Sequence, residues 1–357
     1  MELSLEEKIG QMLIIRMIGK EVSPKLENMI KNHKIGGIIL YIRNYNSNKE
    51  MLDIVNKLKA INRKYNNIPL LITTDQEGGR VNRMPEDFKK LKSAKKIAES
   101  KDLKLIEESG RITGEMLRES GFHLNFAPVL DIQRFDDYHA IGDRCYGKNY
   151  KDVIKNGITI MKALKKEHII PVVKHFPGHG ITKKDSHFFL PRVKDKIEKL
   201  EKEDLKPFKE AIKEGAEAIM VGHILLTKID KIFPITLSKK FVRKYIREKY
   251  KFDGLVITDD LKMKSISFIY GYKRGAARAI KAGNDMVMIG ASYNTVEDAI
   301  NKIKKLVLTK KIDEKEIDKS VERILKIKKK YKINDDKAKG ANIKEINKRI
   351  EKLNNLV

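Results

Sequence analysis

The sequence predicts an α/β fold, a TIM-type (β/α)8 barrel with a C-terminal helical extension. Three observations lead there. Eight short apolar runs recur along the chain, and they read as continuous rather than alternating, the pattern of parallel strands buried on both faces. Amphipathic helical stretches separate most of them, which implies right-handed crossovers. No phosphate-binding GxGxxG follows the first run, as an open doubly wound sheet would normally show.

The runs are QMLIIRM (11–17), IGGIILYI (35–42), PLLITTD (69–75), FHLNFAPVLDI (122–132), PVVKHF (171–176), EAIMVGH (217–223), GLVITDD (254–260) and DMVMIG (285–290). Helices are expected over Lys49–Tyr65, Asp102–Ser120, Asp152–Glu167, Pro207–Glu214 and Phe241–Tyr250. After Gly290 the pattern changes to helices over 296–310 and 313–333. KINDDKAKG (332–340) reads as a linker, and 341–357 as a last short helix. The expected organisation is a barrel catalytic domain over 1–334, then linker and helix over 335–357.

Composition narrows the function classes. Of 357 residues, 41% are hydrophobic, enough for a large core. The apolar runs are far too short to span a bilayer. The opening MELSLEEKIGQ has acids early and no basic n-region, so no signal peptide is expected and a cytoplasmic location is. The single Cys145 excludes an internal disulfide framework and suits a reducing compartment. The net charge of +27 raises nucleic acid, anionic lipid or an acidic polymer as a partner. Lysines are nevertheless spread beside glutamates, as in KDKIEKLEKEDLK (194–206), which reads as solvated helix faces.

In a barrel of this type chemistry gathers at the C-terminal strand ends. Here the third run ends at Asp75, the fourth at Asp131, the fifth in Lys174-His175, the sixth at His223 and the seventh at Asp259-Asp260. One charged strand end is ordinarily a cap or an ion-pair partner. Five of eight around one rim point to a site, because a buried strand has no use for an unpaired charge.

KHFPGHGITKKDSHFFLP (174–191) is the densest segment. A metal site is the rival reading of its histidines, but Pro177 and Gly178 separate His175 from His179 and break the helix that HExxH needs. Asp185 and His187 are two apart, so an extended loop would put both on one side. The carboxylate could then fix the imidazole tautomer and hold a proton carrier. A loop-bracing hydrogen bond fits this segment slightly better when it is read alone.

DQEGGRVNR (75–83), KHFPGHG with DSH (174–187) and GLVITDDLKM (254–263) resemble the motifs of glycoside hydrolase family 3. The likeness is to its single-domain β-N-acetylglucosaminidase (β-hexosaminidase) branch. LEEKIGQMLIIR (5–16), IGGIILY (35–41), LNFAPVLDI (124–132), IGDRCYG (141–147) and GAEAIMVGH (215–223) are similar in the same order, so the resemblance covers about 5–330. It implies roles. Asp259 matches the nucleophile, since some members lack an acid at the second position, that of Asp260. His187 matches the general acid/base and Asp185 its partner. Asp75, Arg83, Arg144, Lys174 and His175 match positions that hold the terminal sugar. Cys145-Tyr146 departs from the Ser-Phe of many relatives, which implies a packing change beside Arg144.

The implied reaction is retaining hydrolysis that releases terminal non-reducing β-linked N-acetylglucosamine through a covalent glycosyl-enzyme. Muropeptides or chitooligosaccharides are the implied carbohydrate substrates, and wall recycling the role. No cofactor or metal is expected, nor a nucleic-acid or membrane partner, and a monomer is expected. The alternatives are a family 3 β-glucosidase, a partial phosphorylase with phosphate as acceptor, and a non-enzymatic basic protein binding nucleic acid or anionic wall polymer.

Overall fold

The computed structural model describes residues 3–135, 141–182, 186 and 189–357. Eight strands pair in parallel around the barrel: Leu13–Arg16, Gly37–Ile39, Leu71–Thr74, Leu124–Asn125, Ile170–Phe176, Ala218–Val221, Leu255–Thr258 and Val287–Ile289. The first pairs with the eighth in the register Leu13↔Val287, and an Ile257↔Met286 bridge joins the seventh to the eighth, closing the ring. Seven fall within the apolar runs, and the fifth begins one residue before its run, at Ile170. Their side chains are almost wholly buried, as strands covered by helices outside and packed inside must be.

Helices form where the 3.6-residue period provides one apolar stripe. Asn48–Tyr65 buries Met51, Ile54, Val55 and Leu58 on one face, and Ser47 caps it by accepting the Glu50 N–H. Leu103–Glu119, Tyr150–Lys166 and Lys206–Lys213 lie within a residue or two of their expected bounds.

Two stretches differ. The fourth run narrows to Leu124–Asn125, and the chain rejoins the sheet through a Val129↔Lys174 bridge. The expected helix over Phe241–Tyr250 is a short α-turn at Lys239–Phe241 followed by wider π winding over Val242–Lys249. On that wider turn Arg247 reaches the carbonyls of Phe252 and Gly254 and the carboxylate of Asp285.

The terminal helix Ile343–Leu356 packs Ile346, Ile350 and Leu353 into the main core, and Arg349 forks onto Glu108 and Glu115. Lys328, on the helix Glu314–Lys330, closes the N-terminal end of the barrel.

Candidate active site

The C-terminal strand ends open into a cleft of about 560 Å³. Asp75, Glu77, Arg83, Arg144, Lys174, His175, Asp259 and Asp260 all line it. Six of these were singled out as site residues from the sequence. Asp185 and His187 lie outside the described residues.

The loop after the third strand is shaped by its glycines. Gly78 and Gly79 take φ of +93° and +53°, a region costly for any other residue, and the chain doubles back so that Gly78 bridges Val81. Gln76 braces the loop: its amide oxygen accepts the Arg83 N–H at 2.7 Å, and its backbone exchanges two hydrogen bonds with the Asn125 side chain. The brace puts Asp75 and Glu77 on one wall.

Both carboxylates meet cations there. Lys174 Nζ donates to Asp75 Oδ1 at 2.8 Å and lies 2.6 Å from Glu77 Oε1. Arg144 grips Glu77 with Nε and Nη2, each at 2.7 Å. Burial alone would raise the Glu77 pKa. The Arg144 guanidinium and Lys174 ammonium outweigh it and hold Glu77 well below the usual carboxylate range. Two acids and two cations therefore form a balanced network. Its most exposed member is Asp75, with 19% of its side chain open.

A second pair sits behind the first. Asp131 is fully buried at the end of the fourth run. Its Oδ1 accepts the N–H groups of His175 and His179, and its Oδ2 lies 2.7 Å from His175 Nδ1. Burial raises the Asp131 pKa, but the His175 ring and these hydrogen bonds bring it below its ordinary value. Asp131 thus fixes the backbone turn and orients His175 toward the cleft.

The two acids after the seventh strand differ. The Asp260 carboxylate is anchored: Oδ1 accepts the N–H groups of Lys262 at 2.9 Å and Gly290 at 2.8 Å. A methyl group on Gly290 would lie 2.1 Å from Asp260 Oδ2, so only glycine allows this approach. Burial raises the Asp260 pKa against those hydrogen bonds. Asp259 Oδ1 accepts the Asp260 N–H at 2.7 Å, and Asp259 shares the cleft wall. His223, a strand-end residue, is fully buried behind this turn, with Nε2 3.1 Å from the Asp260 carbonyl.

The sequence reading passed over Glu77 and Tyr41. Glu77 stands inside a quoted motif, DQEGGR, but an acid in a glycine-rich loop reads as solvated until its partners are known. Tyr41 lies under two guanidinium groups, Arg43 at 4.3 Å and Arg83 at 5.8 Å from its ring centre. Cys145 is buried beside Arg144, and burial raises its thiol pKa well above the ordinary value. Among the described residues no group of three His, Cys, Asp or Glu is arranged to hold a metal ion.

A parallel barrel with paired carboxylates and cations converging on one open polar cleft defines an enzyme of the (β/α)8 class. Residues 4–327 match the glycosyl hydrolase family 3 N-terminal domain, and the chain belongs to that family; it is a glycosidase. It is 28% identical over 298 residues to a beta-hexosaminidase of Methylobacillus flagellatus, covering 82% of this chain and 84% of that one. It is 33% identical over 276 residues to a beta-hexosaminidase of Methylococcus capsulatus, covering 76% and 80%. A glycoside hydrolase family 3 beta-N-acetylglucosaminidase from Paenibacillus sp. superposes with a TM-score of 0.93 at 32% identity, over 99% of this chain and 68% of that one.

Proposed function

We propose that this glycosidase is a retaining β-N-acetylhexosaminidase that releases terminal β-linked N-acetylglucosamine, with muropeptides or chitooligosaccharides as substrates. The observation that carries the reading is the contrast between the two acids of the seventh strand. Both acids line the cleft, but the Asp260 carboxylate is anchored on the N–H groups of Lys262 and Gly290, while Asp259 Oδ1 accepts the N–H of Asp260, its neighbour in sequence.

In this mechanism Asp259 attacks the anomeric carbon and forms a glycosyl-enzyme. His187 protonates the departing oxygen, then, now neutral, takes a proton from the water that releases the sugar. Asp185 steadies the imidazolium. These last two roles rest on the DSH motif. Asp75 accepts from a sugar hydroxyl while remaining paired with Lys174. Arg83 and His175 donate to the remaining polar groups of the sugar, and Arg144 reaches them in concert with Glu77. Contacts that tighten as the ring flattens would raise turnover as well as affinity.

Two variants test the proposal. Asp259→Ala should reduce turnover of every substrate by roughly 10⁴-fold or more, while Asp260→Asn should retain far more. His187→Ala should lose natural substrates but spare aryl glycosides whose leaving groups need little protonation. Equal losses on both substrate types would remove His187 from the acid role. Faster cleavage of an aryl β-glucoside than of the N-acetylglucosaminide would replace the proposed substrate class.

A further inference from the structure

The stretch Leu261–Asn284 holds six cations and no acid, although glutamate accompanies lysine through most of the chain. It begins at the rim beside the cleft, which Lys262 and Lys264 line, and runs into the helix Tyr272–Ala282. At its crest Phe268 is 90% exposed and Ile269 53% exposed. The neighbouring loop brings Ile232, 66% exposed, alongside, because Tyr270 Oη donates to the Ile232 carbonyl at 2.6 Å. Single exposed apolar side chains are ordinary, but a cluster of three on one crest is not.

The crest is firmly backed. Phe233 and Tyr270 pack beneath it with ring centres 5.9 Å apart, and the Arg278 guanidinium lies 3.9 Å from the Phe233 ring. A groove of about 310 Å³ runs down from Phe233 and Ile269 between Arg274, Arg278, Lys281 and Lys302. Apolar residues project outward and cations surround them. No helix among the described residues is long and apolar enough to cross a membrane, so any membrane contact made by these helices is at the surface.

We propose that this crest docks on an anionic phospholipid bilayer. Phe268, Ile269 and Ile232 enter the headgroup–acyl boundary, and the surrounding lysines and arginines meet lipid phosphates. A nucleic acid would match the cations but has no use for two projecting isoleucines. Docking there holds the cleft mouth beside the membrane surface. The inference stands apart from the identity of the cleaved sugar.

Co-sedimentation of the full chain with vesicles tests it. Binding should be strong to vesicles of equal parts phosphatidylglycerol and phosphatidylcholine, about tenfold or more weaker to phosphatidylcholine alone, and lost in high salt. Phe268→Ser/Ile269→Ser should weaken binding about tenfold or more while hydrolysis of a soluble aryl glycoside is unchanged. Arg274→Gln/Lys281→Gln should weaken it several-fold by a separate route. Equal binding by wild type and the Ser variant, equal binding to both vesicle types, or no binding at all would overturn the proposal. So would a dimer in sedimentation velocity that Phe268→Ser/Ile269→Ser converts to monomer, since the crest would then be a protein interface.

Discussion

Two lysines are buried at opposite ends of the barrel, and they are neutralised in opposite ways. Lys174, at the C-terminal rim, faces the carboxylates of Asp75 and Glu77. Lys328, beneath the N-terminal end, faces only neutral oxygens: Gln11 Oε1 at 2.8 Å, the Gly36 carbonyl at 3.1 Å and the Pro69 carbonyl at 2.8 Å. Those partners lie one or two residues before the first three strands, so Lys328 ties the strand entrances together. Charges paired with charges leave a network whose acids can turn to a sugar hydroxyl without stranding a bare cation. A cation held by dipoles has nothing to offer a ligand and serves the fold. Burial pushes Lys328 down to about 7, with Asp335 opposing, a consequence of lacking a contacting carboxylate.

Breaking the rim network should give the largest effect. Glu77→Gln removes the carboxylate that Lys174 and Arg144 share and that lies between their buried charges. A loss of about 3–5 kcal/mol is expected in denaturant unfolding at pH 7, with hydrolysis strongly impaired. The pH dependence has a definite sign. Glu77 is depressed below its ordinary value of 4.5, so its contribution is complete above that pH and fades as pH falls further. The gap between wild type and Glu77→Gln should therefore narrow below pH 4.5. A gap that stays constant into acid would mean that Glu77 holds its proton equally well in the folded and the unfolded chain.

The N-terminal end should respond less, and in the other direction with pH. Lys328→Met strands Gln11 Oε1 and the Pro69 carbonyl, at a cost of about 1–3 kcal/mol at pH 9. Lys328 is depressed from 10.5 to about 7, so between those values the unfolded chain binds more protons than the folded one. Wild-type stability from this group then rises with pH across that window, and the cost of Lys328→Met should shrink as pH falls from 9 toward 7. A cost independent of pH would show that Lys328 keeps its proton throughout, held by its three oxygen acceptors.

The comparison also explains what could be read from the sequence. The eight apolar runs announce the strands because burial on both faces leaves no room for alternation, and Asp75, Lys174, His175 and Asp259 stand out because charge ends such runs. Pairing is not local. Glu77 and Arg144 are 67 positions apart, and only closure of the barrel brings them within 2.7 Å. Lys328 reads as one more solvent-facing lysine in KIKKKYK; its burial follows from how the helix Glu314–Lys330 crosses the barrel floor. Asp131 reads as a strand end, but its grip on two backbone N–H groups depends on the turn after the fifth strand. The π winding at Val242–Lys249 has the same apolar stripe as an α-helix, so periodicity could not separate them.

Asp335 is the carboxylate, among the described residues, that acts on Lys328. It does not touch the ammonium: Oδ1 accepts the Leu70 N–H at 3.1 Å, and Oδ2 accepts from Asn62 at 2.6 Å. Asp335→Asn keeps an acceptor for one of these and loses the distant charge. The expected stability loss is about 0.5–1.5 kcal/mol. The Lys328 pKa should fall further, because burial would then act unopposed, and NMR titration of labelled lysine would read the shift directly. An unchanged Lys328 titration would mean that the backbone oxygens alone set its proton affinity. The floor of the barrel would then differ from the rim in kind, with no ionic partner at any distance.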